Sequence, residues 1–136
     1  MHTSHESPAV RRRGEPSAGA ARPAFAALAA TLLAAAVYVM VDQGTGVWQF
    51  FVFGAAPDIA LFAGIGTGLA KGQLHPRAVP LYNALHRFAG PAVLAIVAAA
   101  VLPAGYLVGA LAWALHIAVD RVAGYGLRTP DGFQRP

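Results

Sequence analysis

Residues 88–119 read FAGPAVLAIVAAAVLPAGYLVGALAWALHIAV and carry no fixed charge. As one α-helix this stretch would measure roughly 48 Å at 1.5 Å per residue, far more than a hydrocarbon core of about 30 Å. Pro103-Ala104-Gly105 interrupts it, and such a break favours a turn. The stretch therefore reads as a hairpin of two membrane spans, at about 81–102 and 105–120. Their abundance of Ala and Gly permits close helix packing in lipid.

The rest of the chain agrees. Of its 136 residues 57% are hydrophobic and only 12% charged, whereas soluble domains carry about 25% charged residues. The length suits one domain. Without cysteine, disulfides, thiolate metal sites and cysteine nucleophiles are excluded. A net charge of +4 raises nucleic acid as a partner. The cations, however, flank apolar runs and form no basic stripe with interleaved aromatics, so the expected partner is the lipid bilayer and not nucleic acid.

Two further spans precede the hairpin. Residues 1–23 are polar, contain Arg11, Arg12, Arg13, Arg22 and three prolines, and read as a disordered basic tail. Ala24 to Val41 is uncharged and reads as a retained first span, because it is long for a signal-peptide core and no clear cleavage site follows. Asp42-Gln43-Gly44-Thr45-Gly46 turns the chain into a second span at about 47–62, opened by the interfacial Trp48. A transmembrane domain over 24–128 is expected, with 129–136 as a short C-terminal tail.

Threading four spans with the N-terminus inside puts all 10 Lys and Arg residues on or near the cytoplasmic side and none in the outer turns, as the positive-inside bias requires. Three spans would strand the C-terminal arginines outside. The fold class is thus an all-α membrane protein, a bundle of about four transmembrane helices with both ends inside.

Ionisable groups inside spans are costly and mark functional sites by default. Four qualify: Asp58, His86, His116 and Asp120. The topology, drawn from Lys and Arg alone, sets all four at similar depth near the cytoplasmic leaflet. His116 and Asp120 share a helix face at i, i+4. Imidazoles and carboxylates together can hold a divalent cation (zinc, manganese or iron), with Asp58 and His86 completing the ligand set. Such a metal would activate a bound water, and Arg87 or Arg121 would hold an anion. Purely structural roles stay open: Asp120 satisfying His116 or pairing with Arg121 of a second chain, Asp58 capping a helix after Pro57, and His86 bridging helices. His2, His5 and His75 lie in loops or tails. Gly124-Tyr125-Gly126-Leu127-Arg128 has neither the length nor the preceding strand of a phosphate loop; it turns the chain away from the last span, or else lids the polar cluster.

Pro57-Asp58, Tyr82-Asn83-Ala84-Leu85-His86 and the run from His116 to Arg128, HIAVDRVAGYGLR, resemble the domain-of-unknown-function family DUF4260, small bacterial integral membrane proteins. The resemblance covers about Ala24 to Phe133, and its last motif is the specific one; the family often has Lys where Arg128 stands. It implies a polar signature of Asp58, Asn83, His86, His116, Asp120, Arg121 and Tyr125, and a multi-pass protein of the bacterial inner membrane. It carries no established activity. A looser similarity to membrane-bound metal-dependent hydrolases rests on the Pro-Asp, the later His, and the His followed by Asp near a helix end, but further His and Asp ligands of those enzymes are missing. Three functions follow. The polar cluster packs the bundle or binds a partner or ligand; or it is a metal-dependent hydrolase site for a lipid or phosphorylated substrate; or the chain is a transporter subunit that works as a homo-oligomer.

Overall fold

Proline and glycine decide where the apolar runs break in the computed structural model, which describes residues Ala18–Arg135. Helix α1 is Ala18–Gln43. Of the segment read as a tail, residues 1–17 lie outside the described residues, while 18–23 are already helical. Alanine there favours helix, and Pro23, close to the helix start, deprives only the exposed Gly19 turn of a hydrogen bond. The better-covered positions of α1, Ala21, Phe25, Ala29, Leu32, Ala35, Ala36, Val39 and Met40, recur at steps of three or four residues, the last two steps each being an adjacent pair. That spacing is one helix face, and it packs on the last helix.

The second run forms α2 (Val47–Ala55), a 3₁₀ turn (Ala56–Asp58) and α3 (Ile59–Ala63). The tightened turn falls at Pro57, which has no N–H to give the preceding turn. A glycine-containing loop follows, then a second 3₁₀ turn at Pro76–Ala78.

The third run was expected to be one helix over 81–102. It is instead two helices, α4 (Val79–Leu85) and α5 (Ala89–Val101), with a bend of 42° between them. Gly90-Pro91 explains the break. Pro91 cannot donate to the Arg87 carbonyl four residues back, and a new helix starts at Ala89. The proline ends up in the first turn of α5, where it costs least.

Helix α6 (Ala104–Ala123) is the shared wall of the molecule, packing against α1, α2 and α5. Small residues let α2 come close. A β-carbon on Gly109 would lie 2.7 Å from the Phe53 ring, and one on Gly105 would strike the Gln49 amide. The helix stops at Gly124, whose φ of 91° few other residues tolerate; the Tyr125 N–H then donates to the Asp120 carbonyl at 2.8 Å.

The described residues are all helix, turn and loop, apart from one isolated bridge between Arg128 and Gln134. Residues 131 and 132 contact the loop before α4. Leu74 N–H donates to the Gly132 carbonyl at 3.0 Å, and the Gln73 amide donates to the Asp131 carbonyl at 2.8 Å.

Two helices, Gly19–Gln43 and Ala104–Ala123, are long and apolar enough to cross a membrane, with mean hydropathy 2.3 and 1.3. The bent pair makes a third if α4 and α5 count as one span. Val47–Ala63, at 17 residues, is shorter.

Candidate metal centre

Two chain breaks and one helix aim four side chains at one point. Asp58 sits at the end of the 3₁₀ turn that Pro57 imposes. His86 is the residue after the last turn of α4, at the bend. His116 and Asp120 lie one turn apart on α6.

The His86 Nε2 atom is 3.7 Å from Asp58 Oδ1 and 3.4 Å from Asp120 Oδ2. The His116 Nε2 atom is 3.5 Å from each of the same two oxygens. Nitrogen and oxygen therefore alternate around a ring of four nearly equal sides. The donor atoms of Asp58, His86 and His116 all lie within 4.8 Å of one another.

These distances discriminate between two arrangements. Imidazolium–carboxylate hydrogen bonds would draw each pair to about 2.7–2.9 Å. Four donors placed tetrahedrally about 2.0–2.2 Å from a central ion would stand roughly 3.3–3.6 Å apart. The observed sides fall in the range of the second pattern for neighbouring donors, and the donors that all stand within 4.8 Å of one another are those of Asp58, His86 and His116, without Asp120. Both Nε2 atoms are also buried with no hydrogen-bond partner, and an orphaned buried polar atom calls for an explanation. A cation between them would supply it, and would offset the charge of the two carboxylates beside the imidazoles.

The supporting contacts fix the donors. The His86 side chain is fully buried, and its Nδ1 lies 2.8 Å from the Tyr82 carbonyl. An N–H there donates to that carbonyl and leaves the Nε2 lone pair facing the carboxylates, the usual outer support of a metal-bound histidine. The Tyr82 ring stacks on the His86 ring with centroids 3.9 Å apart, and the Arg128 guanidinium lies over the Tyr82 ring at 4.9 Å. The bend frees carbonyls at the end of α4, and α6 takes them. Trp113 Nε1 donates to Leu85 at 2.7 Å, and Arg121 Nη2 donates to His86 at 2.9 Å.

Of the residues singled out from sequence, Asp58, His86, His116 and Asp120 come together. Arg121 reaches the backbone of His86 and, through Nη1, the carbonyl of Tyr125. Asn83 stays outside the ring. Its amide donates to the Arg128 carbonyl at 2.9 Å and accepts from the Arg128 N–H at 2.8 Å. The Tyr125 residue is exposed. Tyr82 and Trp113 had no role assigned from sequence; Tyr82, four residues before His86, was within reach of an i, i+4 argument.

The ring is accessible on two sides. The Asp58 side chain is 48% exposed. His116 and Asp120 border a cavity of about 440 Å³ between α2 and α6. Comparison with curated proteins and with solved structures gives no match. The family described as "Domain of unknown function (DUF4260)" matches residues 25–136. With more than three quarters of its length matched, including every residue of the ring, the chain belongs to the DUF4260 family.

Proposed function

We propose that this chain is a multi-pass protein of a bacterial inner membrane that holds one divalent cation, zinc by preference, on Asp58, His86, His116 and Asp120, and uses it for hydrolysis at the cytoplasmic leaflet. The observation that carries the reading is the alternating ring of donors with sides of 3.4–3.7 Å. Two imidazoles and two carboxylates suit zinc better than magnesium or calcium, which favour oxygen alone. A bound zinc would supply Lewis acidity and a water of lowered pKa. The half-exposed Asp58 is the donor best able to yield its place to a reacting oxygen.

Four passes with both ends inside are part of the proposal. The second pass is Val47–Ala63, near the lower limit of spanning length. Trp48 and Tyr106, ring centroids 6.2 Å apart, then mark the outer interface, and Arg22, Arg121 and Arg128 gather at the end where the donors lie.

Metal analysis of detergent-purified protein tests the reading. About one zinc, manganese or iron per chain is expected, falling below roughly a tenth in a His116→Ala, Asp120→Ala double variant because affinity rests on the donors themselves. Metal-free protein whose thermal stability ignores both added zinc and chelator would overturn it.

A further inference from the structure

The cavity beside His116 and Asp120 is a trough with one polar end. Its walls are Phe50, Phe51 and Ala55 of α2 and Leu115 and Val119 of α6. The floor is low because Gly54 faces Ala112, where even an added β-carbon would leave 3.8 Å. Phe50 and Phe51 pack edge to face at 5.6 Å and raise the far wall. From Asp120 back to Ala112 the lining spans eight helical steps of α6, roughly 12 Å along the helix. The polar groups among its lining side chains are two of the four ring donors. Phe51 and Val119, on its rim, are 68% and 50% exposed, so the trough opens on the apolar outer surface of the helix pair.

From this geometry we infer that the trough binds the hydrocarbon tail of a bilayer amphiphile and brings its oxygen-bearing head to the His116–Asp120 end. The inference rests on the proposed metal reading for what happens to the head, and on the trough alone for the tail. Its volume is that of a ligand pocket. Through the trough a water-soluble substrate would meet phenylalanine and leucine, with no hydrogen-bonding side chain before the ring. A bilayer amphiphile already has its chain parallel to the helices and its head near the leaflet surface, where Asp120 lies one turn from the end of α6. The substrate class is therefore a membrane-dissolved ester or phosphoester that enters sideways from lipid.

The test uses the full chain, zinc-loaded in nanodiscs, and a dodecyl phosphate carrying a diazirine in its tail, with adducts located by mass spectrometry. Adducts should concentrate on Phe50, Phe51, Leu115 and Val119. Ala55→Trp, which adds bulk from an exposed rim position, should reduce them at least tenfold while metal content stays at one per chain. Val119→Trp is read in parallel, so that poor folding of one variant leaves the other to decide. Labelling spread evenly onto the exposed α5 residues Ile96 and Val101, or unchanged in both folded variants, overturns the inference. Localised labelling in protein that binds no metal sinks the metal reading and keeps the tail site. Stoichiometric metal with diffuse labelling does the reverse.

Discussion

His86 shows how a fully buried side chain can be held ready as a ligand. One ring nitrogen is committed to the Tyr82 carbonyl, the ring face is committed to the Tyr82 phenol, and the backbone carbonyl is committed to Arg121. Only Nε2 is left without a partner. The Arg128–Tyr82–His86 stack should thus position the imidazole, and its removal should weaken the site without touching a donor. Tyr82→Leu keeps an apolar side chain but loses the stack, and metal affinity should fall by roughly 10–100-fold, the range for outer supports of metal ligands. Tyr82→Phe keeps the ring and gives up only a 3.5 Å hydrogen bond to the Gly126 carbonyl, so its affinity should stay within about twofold of the parent, since so long a contact contributes little. Competition titration against a zinc-chelating dye separates these outcomes. Equal losses in both variants would mean that the hydroxyl, and not the stack, matters. At this scale the sequence was informative where charge was involved. Asp58, His86, His116 and Asp120 could be grouped because ionisable residues in apolar runs are few and the topology gave each a depth. The stack was hidden because it depends on a bend that brings Tyr82 and His86 face to face.

At the scale of elements, breaks matter more than helices. The site needs the 3₁₀ turn at Pro57 and the 42° bend before α5, and both trace to a proline. Gly90-Pro91 was in view, yet a continuous helix over 81–102 was expected, because apolar residues lie on both sides of His86 and Arg87 at the bend. The same criterion concealed the C-terminal segment, where residues 128–135 have no periodic apolar pattern and are held by the Gln73 side-chain amide and the Leu74 N–H, each donating to a backbone carbonyl. Asn83 is the hinge pin between that segment and α4. Asn83→Ala removes two hydrogen bonds to the Arg128 backbone and leaves a part-buried N–H and C=O unpaired, at a cost of about 1–3 kcal/mol. Limited proteolysis should then cut after Arg128 several times faster than in the parent protein. An unchanged rate would show that the segment is held by other contacts.

For the whole molecule, apolar runs and cation placement gave the class of protein, while the number of passes turns on Val47–Ala63. The absence of cysteine offers a clean test. In intact cells a membrane-impermeant maleimide should label Thr45→Cys, in the exposed turn after α1, and should label Lys71→Cys only after the membrane is broken. Equal labelling of both in intact cells would mean that the second run does not cross, and that the ring does not face the cytoplasm.

The central claim is that Asp58, His86, His116 and Asp120 surround a metal, and zinc-edge X-ray absorption on the purified, zinc-loaded protein addresses it most directly. The account predicts a single shell of four nitrogen and oxygen neighbours at about 2.0–2.1 Å with outer scattering from two imidazoles, reduced to one in His86→Ala. A six-oxygen shell without imidazole scattering, identical in the parent and His86→Ala proteins, would contradict it.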